Sequence, residues 1–265
     1  MIANVLAIAG SDPSGGAGIQ ADLKTFSARG TYGMAVLTAL TAQNTQGVTG
    51  VHLVPPSFVA DQIKAVFADV RVDAVKIGMI ATAEIAEAIA DALGAFPSVP
   101  IVLDPVMIAK GGASLLAEDA VAALNHRLLP LATIITPNLP EAAALLAEEE
   151  ARDRQEMAAQ ARRLLALGPR AVLIKGGHLN GPESPDVFAQ EGSLTWLDAL
   201  RKTTRNTHGT GCTLSSAIAA ELGKGENPAR AVQLAKEYTL AAISRSDDLS
   251  VGTGHGPVHH FHPWW

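Results

Sequence analysis

Two glycine-rich segments stand where a predicted strand is followed by a predicted helix. The first is 10–18, and the second contains Gly209, Thr210 and Gly211 directly before Cys212. Unpaired amide groups at a helix N-terminus bind anions, because their N–H bonds point outward and the helix dipole adds positive potential. Neither segment fits the G-x-x-x-x-G-K-[ST] or G-x-G-x-x-G pattern. The second segment predicts a phosphate site of another kind, and the first fits a ligand-binding loop or an ordinary loop equally well.

Cys212 is the only cysteine of the chain, which excludes an intrachain disulfide and a cysteine zinc cluster. In the first turn of a helix, the dipole and a nearby cation lower the pKa of a thiol. A lone cysteine is more commonly a buried apolar residue, but the position of Cys212 in this loop favours a functional role.

Four polar residues follow or end predicted strands. Asp104 ends one strand, and Asn138 and Glu141 stand where another strand meets a helix. Carboxylates near a phosphate site are typical ligands of Mg²⁺, although Asn and Glu three residues apart also form a helix-capping box. Lys175 ends a third strand beside glycines, a position that suits a nucleotide phosphate; a surface salt bridge is the alternative.

These residues depend on elements that alternate along the whole chain. Short β-branched runs followed by alanine-rich helical periods predict an α/β protein with a mostly parallel sheet. Ligands of such sheets bind at the carboxyl ends of the strands. The predicted strands are 2–9, 33–41, 73–78, 99–104, 132–136 and 171–175, with a hairpin at the sheet edge within 180–207. The predicted helices are 17–29, 57–69, 83–94, 117–128, 139–149, 154–167, 211–222 and 228–245.

The composition of the chain argues against several classes of partner. The 265 residues carry 26 acidic and 20 basic side chains, a net charge of −6, so no basic surface is expected to hold nucleic acid. No signal peptide and no apolar stretch of membrane-spanning length is evident, and a cytoplasmic protein with no membrane contact is expected. No linker interrupts the pattern, which favours one domain over residues 1–265. The charged stretch 148–156 predicts a solvated junction between two helices.

The C-terminal tail holds four of the eight histidines. Such a tract is able to bind a transition metal, but no carboxylate or thiol accompanies it. The favoured interpretation is a tail packed on the body of the protein or on a second subunit, with Trp264 and Trp265 as anchors. We expect a homodimer.

Together these segments resemble the hydroxymethylpyrimidine/phosphomethylpyrimidine kinase family of thiamine biosynthesis, which belongs to the ribokinase-like superfamily. The resemblance covers the whole chain in several independent motifs. The matching segments are 10–26, 39–45, 76–79, 103–110, 135–142, 175–178, 206–213 and 256–262. It implies a three-layer αβα sandwich with a central, mostly parallel sheet.

The resemblance also implies a reaction and a set of site residues. ATP, with Mg²⁺, would phosphorylate 4-amino-5-hydroxymethyl-2-methylpyrimidine and then its monophosphate. Gln43 would bind the aminopyrimidine, and Cys212 would replace the aspartate base of most ribokinase-like enzymes. The residues around the ring would be Gly10, Ala17, Asp22, Met79 and Val106. The phosphoryl group would lie on the amides of residues 209–212, and Mg²⁺ near Asp104, Asn138 and Glu141.

Two alternatives remain at this point. A pyridoxal/pyridoxine kinase has the same fold and a similar flat substrate, but some dual-specificity relatives carry a cysteine where this chain has Ala109. A non-catalytic protein that binds the pyrimidine or nucleotide would need none of the residues for metal, anion and base.

Overall fold

The computed structural model describes residues 1–107 and 118–265, in which ten strands and eight α-helices follow one another. The strands are β1 (Asn4–Ala9), β2 (Tyr32–Leu37), β3 (Ala39–Asn44), β4 (Gly47–Leu53), β5 (Ala74–Ile77), β6 (Ile101–Leu103), β7 (Ile134–Ile135), β8 (Ala171–Lys175), β9 (Asp186–Gln190) and β10 (Ser193–Leu197). The helices are α1 (Gly18–Ala28), α2 (Pro56–Asp69), α3 (Ala83–Leu93), α4 (Glu118–Ala123), α5 (Leu139–Leu146), α6 (Arg154–Leu165), α7 (Thr210–Gly223) and α8 (Pro228–Ser244).

Eight of these strands form one sheet in the order β10-β9-β8-β7-β6-β5-β1-β2. All neighbours are parallel except β8–β9 and β9–β10, which are antiparallel. The β9–β10 pair is the predicted edge hairpin, and its turn contains Gly192 at φ 72°, a conformation that glycine adopts without steric cost.

Helices cover both faces of the sheet, because the central strands are apolar on both sides. In β1, Val5 and Ala7 pack with α1, α7 and α8, whereas Leu6 and Ile8 pack with α2, α3, α5 and α6. Continuous apolar runs of this kind are typical of buried parallel strands. The predicted three-layer αβα sandwich is confirmed.

The strand order reverses beside β1, whose two neighbours are β2 and β5. In open parallel sheets ligands bind at such a switch point, outside the carboxyl ends of the strands. The loop 10–17 after β1 and the segment after β5 lie at this point.

The predicted strand 33–41 is wrong in its second half. The chain leaves the main sheet at Thr38, which is buried and donates through its hydroxyl to the carbonyl of Met79 at 2.7 Å. Residues beyond it form a separate two-stranded sheet of β3 and β4. The apolar run is continuous in sequence, so no local pattern marks the break, which coincides with the long-range contacts of Thr38 with Ala9, Val54 and Met79.

Two helix predictions differ at their C-terminal ends. Helix α4 ends at Ala123 and continues as a π-helical turn over Leu124–Leu128. Helix α5 ends at Leu146, because Ala147 takes a left-handed conformation at φ 54° and begins the charged junction before α6.

The C-terminal tail packs on the body of the protein through Val258, His259 and His260, which are buried. The amide of His259 donates to the Ala242 carbonyl of α8 at 3.0 Å, and Nε2 of His260 lies 3.1 Å from the Thr213 hydroxyl of α7. Trp264 and Trp265 are 60% and 69% exposed, so they do not anchor the tail on the body of this chain, and their role as anchors on a second subunit stays a prediction.

Every helix within residues 1–107 and 118–265 is too short or too polar to cross a bilayer.

Candidate active site

The two glycine-rich loops predicted from the sequence lie against each other. A Cβ atom at Gly209 would stand 1.8 Å from the carbonyl oxygen of Gly16 and 3.3 Å from Cα of Ala17. Gly209 also has φ 76°. Both observations require glycine at this position, because a side chain would force the loops apart.

Helix α7 begins at the contact between the loops. Gly209 is its N-cap and supplies no side-chain hydrogen bond, and Thr210, Gly211 and Cys212 form the first turn. Thr213 is tied back to Gly209, since its hydroxyl donates to the Gly209 carbonyl at 2.8 Å. The N-terminal amides of α7 therefore have the arrangement that binds anions, and we refer to residues 206–213 as the anion loop.

Asp12 organises the loop after β1, a role that sequence reasoning missed. Its buried carboxylate accepts hydrogen bonds from the amides of Gly16 at 3.2 Å and Ala17 at 2.8 Å, and from Ser14. Nε2 of His208 lies 2.8 Å from the same carboxylate. Burial alone would raise the pKa of Asp12, but the hydrogen bonds from His208 and Ser14 lower it to about 2.

Cys212 lies half-buried between two clusters of charge. Burial raises the pKa of its thiol to about 11; the Lys76 ammonium group opposes this shift, and Asp22 reinforces it. The expectation of a thiol pKa lowered towards neutrality is therefore wrong for the protein without ligand. The expected cation is present, but desolvation and nearby carboxylates outweigh it.

Lys76 and Asp22 form the first of these clusters. Nζ of Lys76 donates to both carboxylate oxygens of Asp22, at 2.8 and 2.9 Å, and both side chains are fully buried. The hydroxyl of Ser216 in α7 adds a hydrogen bond of 2.6 Å to Asp22. The Asp22 carboxylate raises the pKa of Lys76 above its usual value although burial opposes the charge. The contact of Asp22 with a substrate ring stays a prediction, because this ion pair engages its carboxylate.

Asp104, Lys175 and Glu141 form the second cluster. Nζ of Lys175 lies 2.9 Å from Oδ1 of Asp104 and 3.7 Å from Oε2 of Glu141. Hydroxyl groups of Thr136 and Ser215 also donate to Asp104, at 3.1 and 3.2 Å. The Lys175 side chain is only 16% exposed, so the alternative of a surface salt bridge is wrong.

The two carboxyl groups of this cluster differ in acidity. Burial opposes ionisation of Asp104, yet the Lys175 and Lys76 ammonium groups hold its pKa below its usual value. Burial raises the pKa of Glu141 to about 7, which Lys175 opposes and the Asp104 charge reinforces. Asp104 therefore carries the permanent negative charge of the pair.

The capping interpretation of the Asn138–Glu141 spacing is confirmed, and the metal interpretation stays a prediction. Asn138 accepts a hydrogen bond from the Glu141 amide at 2.9 Å, and Glu141 accepts one from the Asn138 amide at 2.8 Å, which is a complete capping box. Glu141 is at the same time within reach of Lys175.

The donor set fits Mg²⁺ only with help from a ligand. Asp104 and Glu141 supply carboxylate oxygens, as the ion prefers, and Mg²⁺ usually takes its remaining positions from waters and phosphates. Among residues 1–107 and 118–265, no three His, Cys, Asp or Glu side chains group as metal ligands would.

Of the residues predicted around a substrate ring, the structure brings Gly10, Met79 and Val106 together. Met79 clusters with Val106, and a Cβ atom at Gly10 would stand 3.0 Å from the Met79 sulfur. Gln43 comes from β3, which is attached to the loop after β1 by hydrogen bonds between Thr41 and Ser11. The pairing of β3 with β4 shifts register between Ala42 and Gln43, an irregularity that changes the direction of a side chain.

Three residues of this site were not predicted, although their sequence context distinguishes them. Lys76 is a charge inside the apolar strand 74–77, a position that requires a buried partner. Asp12 precedes Pro13 in a glycine-rich turn, and His208 stands inside the anion loop. Ala109 lies outside the described residues.

Comparisons with known proteins agree with this geometry. The family model for phosphomethylpyrimidine kinase matches residues 12–259. The chain is 57% identical over 263 residues to the hydroxymethylpyrimidine/phosphomethylpyrimidine kinase of Escherichia coli strain K12, covering 99% of this chain and 98% of that protein.

Two solved structures extend the likeness to the fold. A pyridoxal kinase of Bacillus subtilis in complex with ADP has a TM-score of 0.91 at 38% identity and covers 98% of both chains. A phosphomethylpyrimidine kinase of Clostridium difficile 630 has a TM-score of 0.81 at 45% identity, covering 92% of this chain and all of that one. The predicted ribokinase-like fold is confirmed, and the chain belongs to the phosphomethylpyrimidine kinase family.

Proposed function

We propose that the protein transfers the γ-phosphoryl group of ATP to the 5-hydroxymethyl group of 4-amino-5-hydroxymethyl-2-methylpyrimidine, and then a second phosphoryl group to the monophosphate. The observation that carries this proposal is the contact between the two glycine loops at Gly16 and Gly209. It brings the amides of the anion loop beside the predicted pyrimidine pocket. The E. coli and C. difficile relatives bear the names of this activity.

In the proposed reaction, the substrate hydroxyl oxygen forms a bond to the γ-phosphorus while the bond to the leaving oxygen of ADP breaks. The hydroxyl proton goes to the Cys212 thiolate, which is a small fraction of the group because burial raises the thiol pKa to about 11. Phosphoryl transfer passes through a loose transition state in which little proton transfer is required early. The thiolate is thus a late proton acceptor, and the chain contributes mainly alignment and charge neutralisation.

The anion loop and Lys175 carry most of this neutralisation. Amides at the start of α7 would hold the transferring group, since preorganised donors act most strongly where charge develops. Lys175 would bind nucleotide phosphate from its place beside Asp104. Bound Mg²⁺ would supply further charge neutralisation of the phosphates, and Asp104 and Glu141 would hold it with water, near Asn138.

A groove between β10 and α8 would receive the nucleoside. It has a volume of about 590 Å³. Lys236 of this groove bonds Asp186, which accepts the amide of Gly176 at 3.0 Å, and Gly176 directly follows Lys175. These hydrogen bonds link one wall of the groove to the end of β8, where the phosphates would lie.

The proposal includes a cytoplasmic homodimer with one domain over residues 1–265. One sheet joins strands from residue 4 to residue 197, which supports a single domain. Leu40, Val51 and Leu53 leave 44–48% of their surface exposed on the β3–β4 hairpin. A second copy would cover such apolar surface, and sedimentation of the purified protein would give its mass.

A pyridoxal kinase is the second candidate, because the B. subtilis structure bears that name. Full-length identity is higher to the pyrimidine kinase of E. coli, at 57%, than to that structure, at 38%. A binding protein without turnover is the third.

One assay separates these candidates. Purified protein is incubated with ATP, Mg²⁺ and either the pyrimidine or pyridoxal, and products are identified by mass. We expect the pyrimidine monophosphate and then the diphosphate, with little pyridoxal phosphate. Faster pyridoxal turnover would favour the second candidate, and binding without product would favour the third.

A further inference from the structure

The C-terminal segment Gly252–Val258, here named the C-terminal strap, contacts both halves of the site. At its first end it meets the turn of the β3–β4 hairpin. The amide of His255 donates to the Thr45 carbonyl at 2.8 Å, and the amide of Gly254 donates to the Thr45 hydroxyl at 3.2 Å. Thr45 lies two residues after Gln43, so this end of the strap holds the hairpin that carries the predicted pyrimidine ligand.

The other end of the strap meets the anion loop. The amide of His208 donates to the Gly256 carbonyl at 3.0 Å, and the amide of Val258 donates to the His208 carbonyl at 3.4 Å. These bonds make a short parallel bridge between His208 and Pro257. The strap therefore spans from the hairpin to the loop that begins α7.

Three alternate glycines allow this close contact. A Cβ atom at Gly252 would stand 2.2 Å from the Thr45 hydroxyl oxygen, and one at Gly254 would stand 2.0 Å from the Thr45 carbonyl oxygen. A Cβ atom at Gly256 would stand 2.3 Å from Oδ1 of Asn206. Real Cβ atoms do not approach other atoms so closely. Close packing therefore requires glycine at both ends of the strap. The proposed reaction by itself does not explain these glycines.

His208 links the strap to the substrate side of the site. Its imidazole Nε2 lies 2.8 Å from Asp12 and 3.5 Å from the side-chain nitrogen of Gln43. Asp12 is ionised and only accepts hydrogen bonds, so Nε2 of His208 carries the proton of that contact. His208 then does not accept from Gln43, whose amide N–H groups stay available to a ligand while the imidazole limits where the amide can lie.

We propose that the C-terminal strap is a positioning segment of the active site, which fixes the hairpin bearing Gln43 relative to the anion loop and acts on the substrate pocket through His208. This inference rests on the proposed function for its kinetic consequences. Its structural content, that the strap restrains the hairpin, is independent of any substrate.

Two glycine variants of the full-length protein test the two ends separately. Gly254→Ala pushes the strap off the hairpin, and we expect the KM for the pyrimidine to rise about tenfold with the KM for ATP nearly unchanged, because misplacement of about 1 Å can cost as much as 100-fold. Gly256→Ala disturbs the anion loop, and we expect kcat to fall more than either KM. Gly47→Ala is the matched control, since it lies in the same hairpin and a Cβ there meets nothing within 4 Å.

A second readout needs no substrate. Hydrogen–deuterium exchange of residues 39–53 should be faster in Gly254→Ala than in wild type or Gly47→Ala. Unchanged exchange together with unchanged KM values would overturn the proposal, as would a lower melting temperature with normal kinetics per folded molecule.

If Gly254→Ala fails to fold, Thr45→Val removes the hydroxyl contact alone and should show the same change in smaller degree. Unchanged exchange and kinetics in that variant would also overturn the proposal. If wild type phosphorylates neither substrate, the proposed function fails while the exchange experiment still decides the role of the strap.

Discussion

The thiol of Cys212 is subject to opposing influences: burial raises its pKa, and the neighbouring Lys76 ammonium group lowers it. If the thiolate accepts the substrate proton, activity should depend on the small ionised fraction of this group. A raised pKa is compatible with that role, because below the pKa the ionised fraction of the thiol rises about tenfold for each unit by which the pH increases.

We therefore predict that kcat/KM for the pyrimidine rises with pH beyond 8, towards the thiol pKa of about 11. Cys212→Ser should keep the fold, lower kcat by roughly 10- to 100-fold and lose this rising limb, because a hydroxyl is a poorer base and general-base catalysis contributes about 10²–10⁴-fold. The measurement is a pH–rate profile of both proteins. Parallel profiles would show that the thiol has only a packing role.

Gln43 gives the second prediction at this scale. Gln43→Leu should raise the KM for the pyrimidine by roughly 5- to 150-fold, since a buried polar group left unpaired costs about 1–3 kcal/mol. The KM for ATP should stay within about twofold of the wild-type value, because the lost contact weakens the binding of the pyrimidine alone. Steady-state kinetics with each substrate varied in turn would check this, and equal changes in both KM values would contradict the assignment.

The contact between the two glycine loops is a property of elements, because it places the start of α7 against the loop after β1. Gly209→Ala should lower kcat by about 100-fold or more, since the new methyl group collides with Gly16 and displaces the anion loop by an ångström or more. Gly225→Ala is the matched control. It has a similar positive φ of 94° but open space around it, so it should lose only about 1–2 kcal/mol of unfolding free energy and keep its activity. Similar activity in the two variants would contradict this account of the loops.

Helix α5 offers a test of the two roles of Glu141. Glu141→Gln keeps a side-chain oxygen able to accept the Asn138 amide, so the thermal melt should stay nearly unchanged. Its kcat should fall, and the Mg²⁺ concentration for half-maximal rate should rise, because one carboxylate charge is gone.

Asn138→Ala provides the contrast, since it removes the N-cap oxygen and should cost about 1 kcal/mol of stability. Melting curves and Mg²⁺ titrations of both variants would separate the roles. A destabilised Glu141→Gln with normal Mg²⁺ response would leave only the capping role.

The stability of the whole molecule depends on neutral His260, which joins the C-terminal tail to α7. Burial lowers its pKa from 6.5 to about 3, and its Nε2 lies 3.1 Å from the Thr213 hydroxyl. Between those two pH values the unfolded chain binds the proton and the folded chain does not. The stabilisation is therefore complete above about pH 6.5 and is lost as the pH falls towards 3.

Urea unfolding at several pH values between 4.5 and 8 would check this dependence. We expect the unfolding free energy to fall on the acid side by up to about 1.4 kcal/mol per pH unit from this group, and the slope to be smaller in His260→Gln. His126→Gln is the control, because His126 is exposed on the surface. An identical slope in all three proteins would show that other groups dominate.

Features that depend on neighbouring residues could be predicted from the amino-acid sequence. Asn138 and Glu141 are one helical turn apart, so their capping box follows from the backbone geometry of any helix that begins there. The glycine-rich turn at the start of α7 is local in the same way, and the apolar runs that form both faces of the sheet are visible as uninterrupted segments. Family motifs along the chain also determined the fold and the proposed substrate.

Features that depend on distant residues could not be predicted in this way. Lys175 meets Asp104 across 71 positions of sequence, and the end of β2 coincides with a hydrogen bond from Thr38 to the distant Met79 carbonyl. The sign of the Cys212 pKa shift depends on how completely the surrounding elements exclude water, which no local pattern records. The tail is similar, because within one chain Val258, His259 and His260 are buried whereas Trp264 and Trp265 are exposed. Burial is a property of the folded surface, and it is fixed only when all elements have packed.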